Sequence, residues 1–222
     1  MSAESGIRTF RAADGLWEEH RIDDVATPEG FRADPELVHR FYNERRRQLV
    51  SGTVEPNPAH AALARLEREH SGPVTVITQN IDDLHERAGS RNPIHMHGEL
   101  LRMRCARCER VVEQFTDSAV DDACGSCGGP MRPHVVWFGE VPLAMEEIYD
   151  ALESCDVFAA IGTSGNVYPA AGFVAVAADA GAHTVELNLE PSVGASGFEE
   201  ARYGPASVEV PRWIDELLGA AL

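Results

Sequence analysis

Lysine is absent from this chain: all 19 basic residues are arginines, set against 36 acidic residues for a formal charge of −17. No side-chain amine is available for modification, which leaves only the N-terminal amine. Net acidity of this size excludes general affinity for nucleic-acid backbones, which requires clustered positive charge. It is compatible with a basic partner such as a lysine-rich tail. No apolar run is long enough to span a bilayer. The opening residues Met1-Ser2-Ala3-Glu4-Ser5 lack the basic and apolar regions of a secretory signal. A cytoplasmic location without a membrane partner is therefore expected. Internal repeats and low-complexity linkers are also missing. What remains is an ordinary globular composition, 44% hydrophobic and 25% charged over 222 residues, enough for one good core plus a small appended module.

Cysteine is scarce, and four of the five are patterned. Cys105, Cys108, Cys124 and Cys127 form Cys-x2-Cys-x15-Cys-x2-Cys, a tetrahedral zinc spacing rather than a disulfide framework. Two thiolates separated by two residues reach one ion from a tight turn, and Gly125, Gly128 and Gly129 suit such turns. Four sulfur ligands leave no position for water, so one structural Zn2+ is expected. Cys155 stands alone before an apolar run and reads as a small buried residue.

Apolar, β-branched runs alternate with amphipathic stretches. Residues 74–78, 157–161 and 184–188 lack the strict alternation of a half-wet sheet, so they predict parallel strands covered on both faces. Residues 57–70, 143–154 and 169–180 suit crossover helices. The stretch 211–221, opening on Pro211, predicts a closing helix. Asp34, Pro35 and Glu36 are a cap, a first-turn proline and a dipole-favoured acid, predicting a helix over 34–50. Tyr42 and Arg45 lie three apart on one side of it. The fold class is α/β: a Rossmann-like parallel sheet with helices on both faces, plus a small zinc-binding module and a helical insertion. The Rossmann-like part is placed at about 1–18, 70–98 and 137–222, the helical insertion at about 19–69 and the zinc module at about 99–136, all within one domain.

Ligand-type residues follow three predicted strands, where open α/β sheets bind their ligands. They are Gln79-Asn80-Ile81-Asp82 after the first, Gly162-Thr163-Ser164 after the second and Asn188-Leu189-Glu190 after the third. Singly each is weak: Asn80 or Asp82 is as readily a helix cap. His95 and His97 precede the zinc module; an imidazole works as a base near neutral pH, but spacing does not say which of the two would act.

These motifs, in this order and together with Ser5-Gly6-Ile7-Arg8-Thr9-Phe10-Arg11 and His97-Gly98, resemble the sirtuins over essentially the whole chain. The bacterial members of desuccinylase type (class III of bacteria and archaea) look most similar. The resemblance implies NAD-dependent removal of acyl groups from protein lysines, giving nicotinamide and O-acyl-ADP-ribose. NAD is consumed as a co-substrate, acylated lysines are the partners and a monomer is expected. By resemblance His97 is the general base, Asn80 and Asp82 sit at the nicotinamide ribose, and Gln79 and Ile81 complete that segment. Ala3, Thr9, Phe10 and Arg11 match the cofactor loop and its approach. Gly162, Thr163, Ser164, Asn188, Leu189, Glu190 and Ala206 match the adenosine side. Val135-Val136-Trp137-Phe138-Gly139-Glu140 resembles the segment that takes substrate peptide as an added strand, with Val136 and Phe138 as substrate contacts.

Tyr42 and Arg45 match the Tyr-x-x-Arg pair of members acting on acidic acyl groups, and Ala26 a small residue that leaves the acyl pocket roomy. A guanidinium pairs bidentately with a terminal carboxylate and a phenol adds one hydrogen bond, so desuccinylation with residual deacetylation and demalonylation is expected. Otherwise Glu44-Arg45-Arg46-Arg47 reads as a solvated charge run. The pattern departs at the start, where Met1 stands at the isoleucine of the family's Gly-Ala-Gly-Ile-Ser turn, so an upstream start is expected. That departure motivates an inactive NAD- or peptide-binding relic as an alternative; the cysteines alone motivate a zinc-ribbon nucleic-acid binder, disfavoured by charge.

Overall fold

Three times in the N-terminal half a capping side chain precedes a proline, and each time a helix begins at that proline. Thr27 accepts from the Gly30 N–H, Asp34 from the Leu37 N–H and Asn57 from the Ala59 N–H. Each cap satisfies a donor the helix cannot, while proline gives up an N–H that has no helical partner. The computed structural model describes residues 1–7, 16–17 and 20–220. In chain order its elements are β1 (Leu16–Trp17), β2 (His20–Arg21), α1 (Ile22–Val25), α2 (Pro28–Ala33), α3 (Pro35–Val50), α4 (Pro58–Glu69), β3 (Ile77–Thr78), α5 (Leu84–Ala88), β4 (Ile94–His95), β5 (Gly98–Cys105), β6 (Val111–Glu113), β7 (Met131–Val135), α6 (Met145–Ser154), β8 (Val157–Ile161), α7 (Phe173–Asp179), β9 (His183–Asn188), β10 (Glu200–Tyr203) and α8 (Ala206–Ala220).

The fold is α/β. Strands β10-β9-β8 form a parallel sheet in that order, and β3 and β4 a second parallel pair. Side chains alternate across β8: Ala159 and Ile161 join the core under α4 and α8 with Leu63, Leu66, Leu187 and Trp213, while Phe158 joins Ile148, Leu152 and Phe173 from α6 and α7. Opposite faces of one strand thus meet different helices, which explains why its residues are apolar throughout. Each fully buried aliphatic side chain contributes roughly 1.5–3 kcal/mol. A third core, around Val38, Phe41, Tyr42 and Trp137, joins α3 to the segment after β7. The antiparallel sheet β6-β5-β7 carries the cysteines.

Three expectations are corrected. The closing helix begins at Ala206, not Pro211. The Glu4 carboxylate accepts the Ala206 N–H at 2.7 Å and the Ser207 N–H at 3.2 Å, starting the helix earlier although Pro211 cannot donate within it. Of the strand expected over 74–78 only Ile77–Thr78 is paired, because among the described residues β4 is its one partner. Cys155 is half-buried rather than buried.

Gly98 opens β5 at φ +81°, and a Cβ there would stand 2.1 Å from the His134 carbonyl oxygen. Gly98→Ala must therefore strain the backbone and push β7 away. We expect a loss of at least about 2 kcal/mol in urea unfolding. An unchanged midpoint would show that this turn is slack.

Candidate functional site

The end of β3 is held by its own side chains. Thr78 Oγ1 accepts the Asn80 N–H at 3.0 Å, and the Asn80 amide donates to Ser2 Oγ at 2.8 Å. The Ile81 carbonyl accepts the Leu100 N–H at 2.7 Å. Asp82 is buried and accepts the Leu84 N–H at 3.2 Å. Burial pushes its carboxyl up, a shift that the Ser2 hydroxyl opposes. Gln79 reaches across to Thr163 Oγ1 at 3.3 Å. Behind this segment lie two histidines that sequence reasoning gave no role, His60 and His85. Burial first of all lowers them, to about 3 and about 4, so both are neutral at pH 7.

His95 and His97 differ in their partners. His97 Nδ1 lies 3.0 Å from the Gln79 carbonyl oxygen. A carbonyl only accepts, so Nδ1 carries the hydrogen and the neutral ring keeps its lone pair on Nε2. Burial lowers the His97 pKa against the opposing pull of that carbonyl. His95 Nδ1 also lies near a carbonyl, that of Asn80 at 3.4 Å, but its Nε2 holds Glu86 at 2.6 Å; burial lowers its pKa, but the carboxylate outweighs it and the net shift is upward. Of the two, His97 is the one that lines the main cavity.

That cavity, of about 1730 Å³, receives all three strand ends: Gln79 to Asp82, Gly162 to Ser164, and Asn188 to Glu190. The Asn188 amide donates to the Thr163 carbonyl at 2.7 Å, tying two of them together. Gly162 takes φ +61°, with room for a Cβ denied by Met1 at 2.7 Å. Leu189 and Glu190 are exposed at the rim. Ala3 lines the same space, and the cavity continues between β3 and β8, which are not paired with each other. Ala206 does not line it; it is buried at the start of α8 against Glu4. Thr9, Phe10 and Arg11 fall outside the described residues.

At its other end the cavity is lined by Ala26, Tyr42, Arg45, Val136, Trp137 and Phe138. Tyr42 is fully buried, which raises its phenol pKa well above the ordinary value. Arg45 lies flat on Phe41, 3.2 Å from the ring centre, and donates to the Phe41 carbonyl at 2.6 Å, so it is not part of a solvated charge run. Val136 and Phe138 use their N–H groups on the His97 carbonyl and the Ala26 carbonyl, each at 2.9 Å. Glu140, the last residue of the expected peptide segment, accepts from Arg132 at 2.6 and 2.9 Å, from Arg104 at 3.0 Å and from the Trp137 N–H at 2.9 Å.

The four patterned cysteines converge on one point, with all sulfurs within 4.8 Å of one another. Cys105 and Cys127 are 3.5 Å apart, Cys108 and Cys124 3.7 Å. A tetrahedral ZnS4 centre with bonds of about 2.3 Å has edges of about 3.8 Å, so the sulfurs fit zinc. The Cys108 N–H, aided by that of Arg107, pulls the Cys105 thiol down to about 6, while the Ser126 N–H lowers Cys124. Cys127 moves the other way, to about 12: the Gly129 N–H lowers it, but the neighbouring sulfurs prevail. Such crowding of thiolates is what a bound dication relieves.

A model of the Sir2 family matches residues 1–169. The NAD-dependent protein deacylase of Vibrio cholerae is 63% identical over 222 residues, covering 99% of this chain and 90% of its relative. Among solved structures, a Sir2 homologue variant in complex with ADP-ribose superposes with a TM-score of 0.90 at 37% identity, covering 99% of this chain and 89% of the other. A Sir2 homologue–NAD complex gives 0.87 at 38% identity, covering 98% and 86%.

Purified protein is expected to hold one zinc ion per chain by atomic absorption. Cys124→Ser should bring this close to zero, with the thermal midpoint falling by about 10 °C. Full zinc retention would overturn the four-sulfur assignment.

Proposed function

Because the chain belongs to the Sir2 family, we propose that it removes acyl groups from protein lysines at the expense of NAD, and that it favours acidic acyl groups such as succinyl over acetyl. The observation that carries this reading is a single cavity with His97 and three ligand-type strand ends at one end and the buried Tyr42 and Arg45 at the other. NAD occupies the strand-end side, where Gln79 to Asp82 face its nicotinamide ribose. Gly162 to Ser164 and Asn188 to Glu190 take the adenosine part, with Ala3 and the segment of Thr9, Phe10 and Arg11 closing over it. Substrate peptide lies along Val136 to Phe138.

The acyl-lysine oxygen displaces nicotinamide at the ribose to give an alkylimidate. A ribose hydroxyl then adds to the imidate carbon, and water completes the release of free lysine and O-acyl-ADP-ribose. His97 Nε2 removes the proton of that hydroxyl; the Gln79 carbonyl keeps the opposite nitrogen protonated and the ring oriented. Arg45 pairs with the terminal carboxylate of the acyl chain and Tyr42 adds a hydrogen bond. Ala26, at 3% exposure, leaves volume for the longer acyl chain.

The base works only when neutral. Because burial holds His97 below the ordinary histidine value, kcat/KM should be flat above about pH 6.5 and fall only below it. An acid limb centred at or above 6.5 would contradict the assignment. For the acyl preference, Arg45→Met should cut kcat/KM for a succinyl-lysine peptide by about ten- to a hundredfold while sparing the acetyl peptide of the same sequence. Equal losses on both would refute Arg45 as the carboxylate reader.

A further inference from the structure

Trp137 lies within the segment proposed to take the substrate peptide, but the reading above gives its indole no task. Its indole N–H meets the Tyr42 hydroxyl oxygen at 2.9 Å, and both residues are almost completely buried. An indole nitrogen can only donate. The phenol oxygen is therefore the acceptor in this contact, and its one hydrogen points away from Trp137. Tyr42, Arg45 and Trp137 line the same end of one cavity.

The indole is held unusually firmly for a residue with no assigned task. Its backbone N–H is bound by Glu140 at 2.9 Å. That carboxylate is clamped by both terminal nitrogens of Arg132, at 2.6 and 2.9 Å, and by Arg104 at 3.0 Å. The Arg132 guanidinium also covers the indole, 3.4 Å from the ring centre, and Phe31 packs at 5.2 Å between centroids. Ring position and ring angle are both fixed, as orienting a hydroxyl requires.

Resting on the acidic-acyl reading, we propose that Trp137 is a positioning residue that sets acyl specificity: by donating to the Tyr42 oxygen it turns the phenol O–H into the acyl pocket, where an anionic acyl terminus beside Arg45 accepts it. A neutral acetyl group has no such terminus and gains nothing from the arrangement. Were the contact only a satisfied pair in the core, its loss would affect both substrates alike.

The experiment measures kcat and KM of the zinc-loaded protein with NAD and matched succinyl- and acetyl-lysine peptides. The variants are Trp137→Phe, Tyr42→Phe, the double variant and Arg45→Met. Trp137→Phe is expected to raise KM for the succinyl peptide by about tenfold, the scale of one hydrogen bond to a charged group, and to lower the succinyl-to-acetyl ratio of kcat/KM accordingly. The double variant should be no worse than Tyr42→Phe, since both changes remove one interaction. If Trp137→Phe does not fold, replacing Trp137 by its benzothiophene isostere removes the N–H at constant ring volume and gives the same readout. Equal losses on the two peptides, an unchanged ratio, or additive single effects would overturn the proposal. Arg45→Met separates the two levels of inference. If it abolishes the preference while Trp137→Phe keeps it, the role of Trp137 alone falls; if Arg45→Met keeps the preference, the acidic-acyl reading falls and takes this proposal with it.

Discussion

A main-chain carbonyl facing an imidazole is the contact on which the rest of the site depends. Gln79 C=O has no proton to give, so its 3.0 Å contact fixes the hydrogen of His97 on Nδ1 and the lone pair on Nε2. Burial then keeps the ring neutral. The contact survives only if two chain segments stay in register, and they are joined on both sides of it. The Val76 and Thr78 carbonyls accept from Ile94 and Met96 before it, and the Ile81 carbonyl accepts from Leu100 after it. His97 is therefore placed by a ladder of backbone bonds rather than by side-chain packing alone.

The same strand that follows His97 also anchors the acyl end. Arg46 is completely buried on α3, one residue after Arg45, and donates to the Leu100 carbonyl of β5 at 3.3 Å and to Asn43 Oδ1. Desolvation lowers the pKa of this guanidinium, and the negative charge of Asp117 offsets only part of that. Its fork geometry bridges two acceptors at once, something an ammonium point charge does less well. Helix α3, with Tyr42 and Arg45, is thereby fastened to the strand that begins beside the base, and the two ends of the cavity share one frame.

Much of the architecture was legible because burial on both faces leaves a mark in the sequence. Val157–Ile161 is apolar throughout and became β8, while Asp34-Pro35 marked a helix start through local chemistry. Residues 184–188 in fact alternate, Thr-Val-Glu-Leu-Asn, and became most of β9 with Thr184 and Glu186 buried as well as Val185 and Leu187. What could not be read depended on distant partners. The start of α8 is set by Glu4, far away in sequence, and the extent of β3 by how many neighbours pair with it. In the site, side-chain patterns grouped the strand ends, and the structure opens all three on one cavity. The two histidines are told apart by Glu86, nine residues before His95, which occupies the Nε2 of that ring, whereas His97 lines the cavity. The Trp137–Tyr42 bond joins residues too far apart in the chain for any local pattern to report it.

The cysteine cluster lies at the far end of β5 from His97. Strand β5 runs from Gly98, next to His97, to Cys105, and eight extended residues span about 23 Å, so an ion held by the sulfurs stays remote from the base. Closed coordination by four thiolates would also leave it no open position. What it can control is register. Cys105 pairs with Met131, and the adjoining pair is Arg104 with Arg132. Those two arginines jointly hold Glu140, and Glu140 holds the backbone of Trp137. A change in strand pairing at the sulfurs therefore shifts the Glu140 clamp first, and the wall formed by Trp137 and Tyr42 next. His97 itself sits before Gly98 and has rungs on both sides, at Met96 and at Leu100, so its position does not depend on the pairing of Cys105 alone.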